Sequence, residues 1–167
     1  MPALFFTIIW PFQIVLVFLQ SILDCNYYNI VMKQTQDYLI ERDIRPSAQR
    51  VALMKYLLDH HTHPTVDDIY AALSPEMPTL SKTTIYNTLK LFAEKGAISI
   101  ITIDSRNAHF DSNVEPHGHL RCTQCGTICD IPLKEPVMPD GNSQCVITDT
   151  QVYFHGLCPD CNHNPNR

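Results

Sequence analysis

Two cysteine pairs constrain this chain more than any other feature: Cys122-Thr123-Gln124-Cys125 and Cys158-Pro159-Asp160-Cys161. Two CxxC turns can deliver four thiolates to one tetrahedral zinc ion. The gap from Cys125 to Cys158 is longer than in a simple zinc ribbon, so the pairs are expected on separate elements, pinning the C-terminus against a central strand. Free or disulfide-linked cysteines and an iron–sulfur cluster are the competing readings. The chain shows no credible secretory leader and no other redox-cofactor motif, which favours zinc in a reducing compartment. Cys25, Cys129 and Cys145 are left over, and fit as small buried hydrophobes.

The first pair lies in a denser run that also holds His117-Gly118-His119 and Asp130. Imidazole and carboxylate suit a different, harder metal than four thiolates do. His117 and His119 are two apart, so on a strand they face the same way. A metal held by these two, Asp130, Asp111 and His63 would clamp two parts of the chain together. Taken singly, His63 also reads as a loop histidine and Asp130 as a solvated carboxylate.

Lys33 to Gly96 is patterned as helix. A first short helix containing Tyr38 and Leu39 ends before Pro46, and Ser47 caps a second with Val51, Met54, Leu57 and Leu58 on one face. Thr65 and Asp68 form a near capping box for a third. Ser81 starts a fourth, which stops at Gly96. Ala97 to Ile103, a turn over Asp104 to Asn107, and Ala108 to Asp111 read as a hairpin. Helices followed by such a hairpin form a winged helix-turn-helix. Beyond a hinge over Ser112 to Pro116, Gly118 to Thr123, Thr127 to Ile131 and Cys145 to Leu157 read as strands of a smaller α/β unit. The fold class is thus α+β: a DNA-binding winged helix over 32–111, the hinge over 112–116, and a small metal-binding domain over 117–163, which the resemblance given below makes the dimerisation domain.

On the fourth helix Ile85, Leu89 and Phe92 share one face, leaving Thr83, Tyr86, Asn87 and Lys90 outward. Asn can pair with adenine edges, Thr and Tyr can meet thymine methyls or phosphates, and Lys can neutralise a phosphate. Lys82 at the helix start, Arg106 at the wing tip and the Arg45/Gln49/Arg50 cluster complete a candidate face for double-stranded DNA. The net charge of −5 over 167 residues argues against sequence-blind coating of nucleic acid, though not against such a local face.

Residues 1–31 stand apart. They hold no Lys or Arg and a single acid, Asp24, and are almost wholly apolar from Leu4 to Leu23. That length could span a bilayer. No basic n-region, cleavage site or flanking basic cluster supports a signal or an anchor. The expectation is that Met32 is the true start and the protein cytoplasmic, with no membrane partner unless residues 4–23 form a real segment.

The motifs His63-Pro64-Thr65-Val66-Asp67-Asp68-Ile69-Tyr70, Ser81 to Leu89, Phe110-Asp111, His117 to Cys122, Cys125-Gly126 and Cys158 to Cys161 occur in an order that resembles the ferric uptake regulator superfamily of metal-dependent repressors. The aspartates at 111 and 130 resemble its peroxide-stress branch; iron-uptake regulators typically carry glutamate there. The resemblance implies a homodimer on a palindromic operator, a structural zinc on the four cysteines, and Fe²⁺ or Mn²⁺ on His63, Asp111, His117, His119 and Asp130. It further implies that peroxide reacting at bound iron oxidises His63 or His117 and releases DNA. It implies no catalytic residues and no small-molecule substrate. An iron- or zinc-uptake regulator is the main rival, and a structural zinc interaction module the rival of another class. Two departures stand out: Lys134 to Gln144, helical in relatives, is short and carries Pro136, Pro139 and Gly141, and His109 occupies a position where arginine is common.

Overall fold

A computed structural model describes residues 27, 29–135, 137 and 145–163. Most of the apolar extension, Cys25 and most of the Lys134–Gln144 segment lie outside the described residues. The first helix, α1 (residues 29–41), is longer than expected and begins before Met32. It is followed by α2 (Ala48–Asp59), α3 (Val66–Leu73) and α4 (Lys82–Glu94).

The helix starts follow from local chemistry. The Ser47 and Ser81 side chains accept from the N–H groups of Arg50 and Thr84. Thr65 and Asp68 form a complete capping box. Each satisfies backbone donors that a helix cannot satisfy itself. After α4 the chain turns at Gly96, whose φ of 65° favours a residue without Cβ.

The four helices close on one apolar core. Leu39, Leu53, Met54, Leu57, Ile69, Ile85, Leu89 and Phe92 are fully buried there, with Ala97, Ile98 and Phe110 sealing it from the hairpin side. That hairpin consists of β1 (Ser99–Ile101) and β2 (His109–Asp111), antiparallel, with Ser99 opposite Asp111. It is shorter than the sequence pattern suggests because β2 offers only three partners. Helices plus hairpin form the winged helix.

The C-terminal sheet has the order β4-β3-β5. The central strand β3 (Gly118–Cys122) pairs antiparallel with β4 (Ile128–Ile131) and parallel with β5 (Val152–Gly156). A short helix, α5 (Pro159–His163), closes the chain. The strand expected over Cys145 to Leu157 is confined to β5, and residues 145–150 are irregular and exposed. β5 runs only as far as its five-residue partner. Among the described residues the buried cluster in this half is Cys122, Cys158 and Cys161, with Cys129 packed against it. No helix among the described residues is long and apolar enough to cross a membrane.

Candidate metal centres

Cys122 ends β3, and a tight turn brings Cys125 back beside it. In that turn the Gly126 N–H donates to the Cys122 carbonyl at 2.9 Å, with Gly126 at φ 78°. Cys158 precedes α5 and Cys161 lies within it. The four Sγ atoms lie within 4.8 Å of one another, and Cys125 and Cys158 approach to 3.7 Å. Cys122, Cys125, Cys129, Cys158 and Cys161 form no disulfide.

Four thiols this close cannot all ionise without a compensating cation. Backbone N–H groups of Cys125 and Cys158 pull the Cys122 thiol down to about 6. Burial, then the neighbouring sulfurs, push Cys161 up to about 12. A dication would remove that conflict, so the donor set fits a closed tetrahedral site.

The second cluster draws on both halves. His63 lies in the loop before α3, Asp111 ends β2, and His117 and His119 flank Gly118 at the start of β3. Asp130 stands directly opposite His119 on β4. One ligand atom from each of the five lies within 4.8 Å of all the others. His63 Nε2 is 2.7 Å from Asp130 Oδ1, and His117 Nε2 is 3.1 Å from Asp111 Oδ2 and 2.9 Å from His119 Nε2.

Of these contacts, the one between His117 and His119 is a hydrogen bond. Both nitrogens of His63 and Oδ2 of Asp111 are buried with no hydrogen-bond partner among the described residues. Buried polar atoms left so cost free energy. Buried His63 nitrogens and an Asp111 oxygen left unpartnered at the centre of such a cluster are what a cation would satisfy.

The protonation pattern agrees. His117 Nδ1 lies 2.7 Å from the Glu115 carbonyl, which can only accept, so Nδ1 carries the proton. In the neutral ring Nε2 then presents a lone pair to the cluster. Burial pushes the pKa of His63 down, further than Asp130 and Asp111 raise it, which favours the neutral, ligating ring. Burial pushes Asp111 up, but His119, the Asn113 N–H and His63 outweigh it and hold the carboxyl below its ordinary range.

His63 is also one of two described non-glycine residues at positive φ, at 52°. That backbone is held in place from β2: His109 Nδ1 lies 2.6 Å from the His63 carbonyl, and the Phe110 N–H donates to the Pro64 carbonyl at 3.1 Å. The wing is joined to the C-terminal sheet as well. The Thr102 N–H donates to the Tyr153 hydroxyl at 2.8 Å, and Gln151 Nε2 donates to the Ile100 carbonyl at 3.1 Å. Tyr153, Gln151, Asp104 and Arg121 are not singled out by sequence reasoning; Arg121 lies two residues from His119 and Gln151 two from Tyr153, while Asp104 gives no such signal.

The candidate DNA face is placed as follows. Thr83, Tyr86, Asn87 and Lys90 are exposed along α4, and Arg106 is exposed in the wing turn. Lys82 is tied to Asp67 at 2.8 Å and Lys90 lies 3.9 Å from Glu94. Arg45 is exposed, Gln49 and Arg50 half-buried, and Arg50 Nη1 donates to the Arg45 carbonyl at 2.8 Å.

A winged helix joined to a small sheet, with one thiolate cluster and one histidine–aspartate cluster, defines a metal-site protein of the regulator type. The model of the ferric uptake regulator family matches residues 41–157, and the chain belongs to that family. The peroxide-responsive repressor PerR of Staphylococcus aureus is 36% identical over 127 residues, spanning 74% of this chain and 86% of the relative. The fold is similar to the Helicobacter pylori ferric uptake regulator Fur (TM-score 0.57, 16% identity, 80% of this chain and 93% of that one). It is also similar to the Campylobacter jejuni peroxide stress regulator (TM-score 0.54, 22% identity, 77% and 97%). The chain is therefore a metal-responsive regulator, and not an enzyme.

Proposed function

We propose that this protein is a dimeric, cytoplasmic, metal-dependent repressor that senses hydrogen peroxide through its histidine–aspartate cluster. The observation that carries the reading is the convergence of His63 with Asp111, His117, His119 and Asp130. One ligand comes from the helical half, one from the wing and three from the sheet, so a cation there favours a particular arrangement of all three. Metal can favour that arrangement only by the difference in its affinity between the two states.

Zn²⁺ is assigned to Cys122, Cys125, Cys158 and Cys161, and Fe²⁺ or Mn²⁺ to the five N/O ligands. Fe²⁺ held by these five residues would supply the redox chemistry that lets peroxide oxidise His63 or His117: one ring C–H would become C–OH, the ring giving up two electrons, and the other peroxide oxygen would leave as water. The chain's residues do the rest. Burial keeps His63 neutral, the Glu115 carbonyl fixes the His117 tautomer, and both rings stand beside the reaction. An oxidised ring is a poorer ligand, and the clamp loosens.

In the clamped state Thr83, Tyr86, Asn87 and Lys90 of α4 would read a major groove, with Lys82, Arg45, Gln49, Arg50 and the wing's Arg106 on phosphates. A two-fold dimer matches a palindromic operator. The similarity to PerR and the aspartates at 111 and 130 support the peroxide branch.

The test is operator binding by the Mn²⁺- and Fe²⁺-loaded dimer, before and after low peroxide, followed by peptide mass spectrometry. The expected result is loss of binding with Fe²⁺ but not Mn²⁺, and one added oxygen on His63 or His117. Release on metal withdrawal alone, with unoxidised histidines, would make the protein an uptake regulator instead.

A further inference from the structure

A second polar row runs beside the five ligands. On β2, His109 lies two residues before Asp111; on β3, Arg121 lies two residues after His119. Residues two apart on a strand share a face, so each member of this row is the same-face neighbour of a ligand. Asp104, in the turn between β1 and β2, joins the two. Its Oδ2 lies 3.6 Å from His109 Nε2 and its Oδ1 lies 3.5 Å from Arg121 Nη2. The Arg106 N–H also donates to Oδ1 at 3.1 Å, which holds the carboxylate in the turn.

The far end of the row reaches His63. The His63 carbonyl can only accept, so His109 Nδ1 donates to it, across 2.6 Å. The held residue is the one whose φ of 52° an L side chain seldom adopts. Such a conformation persists only where its surroundings enforce it.

We propose that His109, braced by Asp104 and Arg121, is a positioning residue for the regulatory metal: it locks the His63 loop so that this imidazole meets the ligands on β2 and β3. The row spans the helical loop, the wing and the sheet, as the five ligands do, and is made of contacts between protein groups alone. It preorders the ligand contributed by the helical half. The inference rests on reading the five-residue cluster as a metal site, and not on its response to peroxide.

The experiment is titration of the full-length, zinc-loaded dimer with Mn²⁺, read by the electron paramagnetic resonance of free and bound ion. Replacing a partner that orients a metal ligand typically weakens binding 10- to 100-fold. His109→Leu, which loses the donor, is expected to weaken Mn²⁺ binding about 10-fold or more and to broaden the bound-ion spectrum. His109→Asn, whose amide can still donate to the His63 carbonyl, is expected to restore most of the affinity. Arg121→Met, which keeps the aliphatic stem, is expected to weaken binding by a few-fold. Zinc content and thermal unfolding should be matched across the three, which separates positioning from general damage. Wild-type affinity in His109→Leu, or equal loss in the Leu and Asn variants, would overturn the proposal. Failure of the wild-type chain to bind Mn²⁺ would overturn the underlying site reading, and the proposal with it.

Discussion

The two halves of this molecule are held together by different physics. The helical half buries a contiguous set of Leu, Ile, Met and Phe side chains from four helices and the wing. The C-terminal half, among its described residues, gathers little but cysteine sulfur, and leaves Phe154, Leu157, Val146 and Ile147 substantially exposed. Hydrophobic burial is the evident support of the first half, and a cysteine cluster that of the second. The histidine–aspartate cluster is the place where a side chain from the first half joins side chains of the second, which is why the proposed regulation is put there.

Removing one thiolate is the largest perturbation expected to break the contrast. In Cys158→Ser the sheet should lose its zinc and its order, while the helical core keeps a cooperative transition. Structural zinc in small domains contributes roughly 10 kcal/mol or more of folding free energy. Amide exchange resolved by segment would check this, and simultaneous collapse of both halves would contradict it. In the helical half the corresponding change is Leu89→Ala, fully buried, with an expected loss of about 2–5 kcal/mol in urea unfolding and no change in zinc content. Thr65→Ala removes the cap of the helix that follows His63, and should cost about 1 kcal/mol by the same measurement.

The smallest effect is on pH dependence without regulatory metal. Burial lowers the pKa of folded His63 below the ordinary 6.5. Below that pH the unfolded chain therefore takes up the proton first. Stability due to the neutral ring is fully present above about pH 6.5 and is lost as the pH falls beneath it. A His63→Gln chain, followed by denaturant midpoints between neutral and mildly acidic pH, should show a shallower decline.

Local chemistry made much of this legible. Ser47, the Thr65–Asp68 box, Ser81 and Gly96 mark helix ends because each acts within four residues of itself. The cysteine pairs and the His117–His119 spacing announced donors for the same reason. Long-range pairing was less visible. Nothing in residues 145–157 says that only Val152–Gly156 will be strand, since that depends on a parallel partner five residues long. Arg121 looked like an unremarkable strand residue and His109 merely like an odd substitution. Their roles arise only when β2, β3 and the wing turn are brought side by side.

Amide hydrogen exchange of the zinc-loaded dimer, with and without saturating Mn²⁺, tests most directly whether one cation joins the two halves. Slower exchange in both the His60–Pro64 loop and the β3–β4 strands is the predicted result. Protection confined to β3 and β4, with the His63 loop unchanged, would contradict it.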